Sequence, residues 1–439
     1  METLKTTILS LENNAEKLEA LYRETEANEQ TDAFGAAISA LFHEHPDNLL
    51  YGAWYHRLRA AVPVSLPEKV GINWRLALPL SLLSGLLFWW VSGDWFMVAE
   101  YTPGFLIFWA PLAAWFVLAF LVGTSNANRG RALAVTAVLV GISLFIYWRI
   151  PGESTSAFDH YFPLMALHLP LLAWVGVGYT LIGLRSSPND RFAFIQKSAE
   201  VFITGGLYLM AVFAFSGLTV GMFEALDISL SDVWMRLLFA GGAGALPVLA
   251  VASVYNPLAH VTNQAFGQGV GKIIPIITRV LLFLGIILLA AYLVAIPFNF
   301  WAPFENRDVL IVYNAMLFGV MAVLFGVVPL DRSELSPRLE NILRVTIMIA
   351  AGMAIVVSLY AFAAIMTRTF EGRLTMNRFT IIGWNAINIG LLVYLLVGMV
   401  RAGRAKWLEI IQRVFGTGAF LYFLWTVVIL VVVPLVFTG

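Results

Sequence analysis

An all-α polytopic transmembrane bundle of about eleven helices, behind a small N-terminal helical cap, is the fold class this sequence predicts. Three observations carry it. Sixty per cent of the 439 residues are hydrophobic and only 12% are charged, and the mean hydropathy of +0.81 lies far above that of soluble domains this long. From Trp74 onward the apolar residues fall into successive runs close to the ~20 residues that cross a bilayer. Lysine and arginine, finally, gather in alternate loops between those runs, the bias that sets orientation in a membrane.

Residues 1–73 differ from everything after them. Leu4, Ile8, Leu11, Leu18 and Leu21 recur at helical spacing; Phe34, Ile38, Leu41 and Phe42 mark a second helix, and Leu49, Leu50, Trp54, Tyr55 and Leu58 a third. Pro46 places a turn before that third helix, with Asp47 as its expected N-cap. The block His45-Pro46-Asp47-Asn48, followed by Trp54 and Tyr55, resembles half of a helical-hairpin repeat of the tetratricopeptide kind, and one such unit is too few to stack as a solenoid. The segment reads as a cytoplasmic cap that either docks a protein partner or packs on the membrane domain. His43, His45 and His56 lie beside Glu44 and Asp47, but ligands on a helix share a face only at a one-turn spacing, so no metal is assigned. The first apolar run begins too late for a cleavable signal peptide, which leaves the N-terminus expected on the cytoplasmic side.

The membrane domain is expected to occupy 74–439, with spans at approximately 75–93, 104–123, 132–149, 161–184, 199–222, 235–255, 273–297, 308–330, 341–367, 378–400 and 414–437. With the N-terminus inside, the cytoplasmic loops hold Arg129 and Arg131; Arg185, Arg191 and Lys197; Lys272 and Arg279; Arg332, Arg338 and Arg344; and Arg401, Arg404, Lys406 and Arg413. The opposite loops are acidic, with Asp94, Glu100, Glu153, Asp159, Glu224, Asp227, Asp232 and Glu305. One loop breaks the pattern. Arg368, Arg373 and Arg378 cluster on the acidic face, where they either pair with neighbouring carboxylates or form a bidentate site for an anion.

Gly372-Arg373-Leu374-Thr375-Met376-Asn377-Arg378 resembles the Tyr-Gly-Leu-Thr-x-x-Arg element near the end of certain bacterial multipass membrane proteins classed as a domain of unknown function. Arg373 stands between Gly372 and Leu374, where that element has no residue. The resemblance implies a bacterial inner-membrane protein and no particular activity. Independently of it, Thr375 is placed to cap the helix starting at Met376, and Arg378 to snorkel to the interface.

Within the spans, polar residues are scarce and are therefore functional candidates. His168 lies between Pro163 and Pro170, so a titratable ring coincides with backbone loosened by proline; the alternative is a histidine bonded to a freed carbonyl. Asn314, Asn385 and Asn388 suit interhelical hydrogen bonds better than ligation. In the sixth span Gly241, Gly242, Gly244 and Pro247 mark either a helix break of the kind that lines transport sites or close packing through small residues. The polar loop after it, 256–272, is expected to be mobile; its Gly267-x-Gly269-x-Gly271 spacing follows no strand and is not a nucleotide fingerprint.

Composition removes whole classes of function. The chain has no cysteine, hence no disulfide, thiolate metal site or cysteine nucleophile. Its 27 basic and 27 acidic residues balance, which gives no footprint for nucleic acid. No cofactor is implied. Membrane lipids are the expected surroundings, and three roles follow. The first is binding or translocating an anionic lipid or small anionic metabolite through a site open to the outer face. The second is a non-catalytic scaffold or sensor working through the cap. The third, an enzyme acting on a lipid-linked substrate with Asp159 and His160 beside Arg368 and Arg373, is weakest, because adjacent residues need not converge and no nucleophile stands out.

The absence of cysteine makes the topology directly testable. Single cysteines at Ser125, Ser187 and Ser333 should resist an impermeant thiol reagent in intact cells, and those at Ser154, Ser229 and Thr369 should label. Labelling at Ser187 without labelling at Ser154 would invert the orientation.

Overall fold

The computed structural model describes residues 2–12, 14–27, 31–61, 71–100, 102–125, 127–153, 155–267, 269–329 and 335–437. Arg332, Ser333 and Ser154, named above, lie outside them. The chain divides into two compact units, Met1–Val70 and Gly71–Gly439.

The first unit is made of helices Glu2–Leu9, Ala15–Ala27, Thr31–Glu44 and Leu49–Ala61. The pattern that reads as one helix from Leu4 to Leu21 is thus two. Asn14 starts the second of them, its side-chain oxygen accepting from Lys17 N at 3.0 Å. The cap of the last helix is Asn48 and not Asp47: its Oδ1 accepts from Leu50 N at 2.9 Å and Tyr51 N at 3.2 Å. Ile8, Leu18, Phe34, Ile38 and Leu41 are fully buried, as the helical periodicity indicates, whereas in the last helix Leu49 is exposed and Tyr51, which the periodicity does not mark, is fully buried. The histidines pack on aromatic rings, His43 on Tyr55 at 5.9 Å, His56 on Phe42 at 5.9 Å and His45 on Tyr51 at 6.4 Å. No group of three or more potential metal ligands occurs among the described residues.

The second unit is an all-α bundle, and the protein is a multipass membrane protein. Among the described residues, eleven helices are long and apolar enough to cross a bilayer: Trp74–Val91, Phe105–Thr124, Arg129–Trp148, Phe158–Ile182, Pro188–Glu224, Asp232–Val254, Gly269–Asn299, Val309–Gly326, Pro337–Glu371, Met376–Ala402 and Trp407–Val436. They are called the first to eleventh spans below. A short antiparallel pair, Met97–Ala99 with Thr102–Pro103, lies between the first two.

Several spans start earlier than the apolar runs indicate, and capping is the reason. Ser187 Oγ accepts from Asp190 N at 3.1 Å while the Asp190 carboxylate accepts from Ser187 N at 3.0 Å, a capping box with Pro188 in the first turn. The fifth span therefore begins at Pro188 rather than near 199. Ser336 and Pro337 do the same for the ninth, through Leu339 N to Ser336 Oγ at 3.3 Å. Arg191 and Lys197 are consequently helical, not loop, residues.

The sixth span is not unwound. A π-helical turn, Leu237–Gly241, stands where a break is the alternative to close packing, and α-helix continues after it through Gly242, Gly244 and Pro247 to Val254. The glycines meet the first span closely: a Cβ on Gly85 would lie 2.7 Å from Gly241 O, and one on Gly244 would lie 2.4 Å from Phe88. Ser84 Oγ donates to Gly244 O at 2.7 Å across the same contact.

Two large apolar clusters fill the bundle. One joins the seventh to eleventh spans and the other the second to fourth with the tenth and eleventh, so the last two helices belong to both. Gly416 seats the eleventh span on the start of the fifth, where a Cβ would stand only 2.1 Å from Pro188 O.

Candidate functional site

The fifth span is the wall between two cavities. One, of about 640 Å³, is bounded by the third, fourth, fifth, eighth, tenth and eleventh spans, and the other, of about 970 Å³, by the first, second, fourth, fifth and sixth. Both fall near the ~300–1,000 Å³ typical of small-molecule sites. Leu171, Trp174 and Phe194 line both.

Each cavity has a single charged residue in its lining, and both come from the first three turns of the fifth span: Arg191 in the smaller, Lys197 in the larger. At about 100° per residue the two positions stand about 120° apart around the helix axis, with Phe194 between them. Their electrostatic situations are opposite.

Arg191 makes no ion pair among the described residues, and its buried Nε has no hydrogen-bond partner there. Its guanidinium lies 5.9 Å from the Phe420 ring centroid. The nearby Asp190 is already engaged in the cap of its own helix. A second cation sits at the same end. The Arg131 guanidinium packs against cavity-lining Gly183, where a Cβ would stand 2.9 Å from Nη1. The N-terminal turn of a long helix adds partial positive charge.

Lys197 is buried and satisfied. Its Nζ donates to Glu200 Oε2 at 2.6 Å and to Ala265 O at 2.8 Å, and it lies 5.6 Å from the Phe266 ring centroid. Glu200 in turn accepts from Gly267 N through Oε1 at 3.3 Å. This pair pins the 256–272 loop, which is thus held rather than free. Gln264 closes the loop on itself, accepting from Asn256 N at 2.9 Å and donating to Asn256 O at 2.8 Å and Ala259 O at 3.1 Å. The glycine spacing has a structural cause: Gly267 and Gly269 have φ of +66° and +55°, and a Cβ on Gly271 would lie 2.5 Å from Glu200 Oε1.

The sequence points elsewhere, to Arg368, Arg373 and Arg378. Their loop lies at the opposite end of the bundle from Arg191, because spans in series reverse at each loop and these loops follow the ninth and fourth spans. Thr375 caps the tenth span by accepting from Arg378 N at 3.3 Å. Arg378 does not simply reach outward: its Nη1 donates to Arg368 O at 2.7 Å and Arg373 O at 2.8 Å, closing the loop over the last turn of the ninth span. Arg373 is exposed, and Arg368 keeps a buried Nη1 without a hydrogen-bond partner. None of the three is ion-paired among the described residues.

The intramembrane polar candidates partly converge. His168 Nδ1 donates to Leu164 O at 2.7 Å, and its Nε2 accepts from Trp384 Nε1 at 3.1 Å. These partners define the tautomer. The accepting carbonyl is one turn back, not that of Ala166, which the missing N–H of Pro170 frees. Trp384 stacks on His168 and meets Tyr422 edge-on at 5.1 Å, and the Tyr422 hydroxyl donates to Asn388 Oδ1. Trp384 and Tyr422 line the smaller cavity. Asn314 bonds within its own helix, to Leu310 O at 2.7 Å, instead of across helices. Asn385 is buried, with neither amide atom hydrogen-bonded among the described residues.

Sequence reading missed Arg191 and Lys197 as site residues because the hydropathy run starts after them, near 199, and it left Glu200 as an interfacial residue at the first turn of that run. The Ser187-Pro188-Asn189-Asp190 capping signature was the available signal. No family model, no curated protein and no solved structure matches the chain.

The two exposed-loop arginines separate by their bonds. Arg378→Gln removes two charge-assisted hydrogen bonds to carbonyls and should lower thermal stability in detergent by on the order of 1–3 kcal/mol, whereas Arg373→Gln should change it little. Equal losses would contradict the stapling role of Arg378.

Proposed function

We propose that this chain binds an anionic lipid, with the headgroup at Arg191 and Arg131 and the hydrocarbon chain along the 640 Å³ cavity. One observation carries the reading: in an otherwise uncharged cavity, the one charged lining residue is an arginine with no ion-pair partner among the described residues. An unpaired guanidinium at an apolar site is costly unless an anion completes it, and its planar donors suit a phosphate or carboxylate head. The walls suit a chain. They run from Gly183 and Ser186 at the Arg191 end to Trp384 in the tenth span, and offer Leu171, Leu172, Phe325 and Phe415 on the way. A cavity of that reach also suits movement of the lipid between its two ends.

Location belongs to the same proposal. The charge bias of the loops supports a cytoplasmic N-terminus, a C-terminus on the other face and Arg191 at the cytoplasmic end. The resemblance of residues 372–378 supports the bacterial inner membrane. A second anion surface is favoured by one specific observation, that Arg368 and Arg373 have no ion pair among the described residues, and it would serve a small anionic metabolite on the opposite face.

Native mass spectrometry with phosphatidylglycerol and phosphatidylcholine tests the reading. Arg191→Gln should weaken phosphatidylglycerol retention about tenfold, the equivalent of one charge-assisted contact, while Arg185→Gln, an exposed neighbour, should leave it intact. Unchanged retention in Arg191→Gln would overturn it.

A further inference from the structure

The larger cavity has a cation too, yet its chemistry is not that of the smaller one. Lys197 is its only charged lining residue. That charge is already cancelled by Glu200 at 2.6 Å, with Lys197 only 4% and Glu200 only 5% exposed. An anionic head arriving here would meet a neutral pair in a medium of low dielectric, and would be desolvated with nothing to offset the cost. A cationic head would fare no better.

Uncharged polar groups, by contrast, are at hand. Ser198 Oγ accepts from Trp174 Nε1 at 3.0 Å and keeps its own O–H to donate. Tyr255, at the C-terminal end of the sixth span, lines the same cavity. Beyond them the walls are apolar, with Phe202, Leu209, Phe213, Leu121 and Val117 among them. Hydrocarbon chains fit such walls, and a hydroxyl or ester fits their polar end.

We propose that the 970 Å³ cavity is a second lipid site selective for an uncharged lipid of the diacylglycerol or fatty-alcohol class, the Lys197–Glu200 pair acting as the filter that rejects charged headgroups. It rests on that pair and not on Arg191, so the two sites can fail separately. Trp174 and Phe194, shared by both linings, bring the two lipids to opposite sides of one partition.

The test is native mass spectrometry of the full chain with two probes, dioleoylglycerol and dioleoylphosphatidylglycerol. Gly206 lines the larger cavity, and a Cβ there would meet nothing within 4 Å, so Gly206→Phe is the substitution chosen to fill the space. It should weaken dioleoylglycerol binding about tenfold or more and leave phosphatidylglycerol binding unchanged. Glu200→Gln keeps an acceptor for Gly267 N but uncovers the Lys197 charge. It should lose thermal stability in dioleoylglycerol, recover it with phosphatidylglycerol, and take up one further phosphatidylglycerol that a Gly206→Phe addition removes. Should Glu200→Gln fail to fold, Gly206→Phe decides alone. Dioleoylglycerol binding unaffected by Gly206→Phe overturns the proposal. So does uptake of both lipids in proportion to supply, or a Glu200→Gln protein with wild-type lipid preference.

Discussion

The two cavity linings depend on the start of the fifth helix, which the Ser187–Asp190 capping box fixes at Pro188. Starting the helix at Pro188 puts Arg191, Phe194 and Lys197 on three neighbouring faces. One cation enters each cavity, and an aromatic ring divides them. The seat of Gly416 against Pro188 O holds this turn against the eleventh span, with no room for a side chain.

The Lys197–Glu200 pair shows how a charge is kept inside such a bundle. Isolated burial of either ion would cost several kcal/mol. The pair avoids this by adding backbone partners, Ala265 O for the lysine and Gly267 N for the carboxylate, so that the loop supplies what water would supply elsewhere. The glycines of that loop permit the approach: two adopt left-handed backbone and the third leaves room for Glu200. Arg191 has no such arrangement, and that asymmetry separates an anion site from a neutral one.

Much of the architecture is legible in the sequence because hydropathy is a property of runs, and runs survive local error. Individual site residues do not share that robustness. A window that waits for apolar residues starts the fifth span near 199 and leaves Arg191 and Lys197 in a loop, although Ser187-Pro188 announces the helix. Arg378 reads as a free surface cation because carbonyl partners, Arg368 O and Arg373 O, have no side-chain signature. His168 is flagged by its prolines, yet its actual partner is Trp384, more than two hundred positions on, and no local pattern encodes that pairing. The glycines of the sixth span are ambiguous alone. They become interpretable only beside Gly85 and Phe88 of the first.

The central claim, that an anion completes the Arg191 cavity, is tested most directly by electron cryo-microscopy of the protein in nanodiscs containing phosphatidylglycerol. The account requires elongated density along Leu171, Phe325 and Phe415, with its head within hydrogen-bonding distance of the Arg191 guanidinium. A cavity collapsed by contact of the fifth and eighth spans, or occupied by density that stays clear of Arg191, would contradict it.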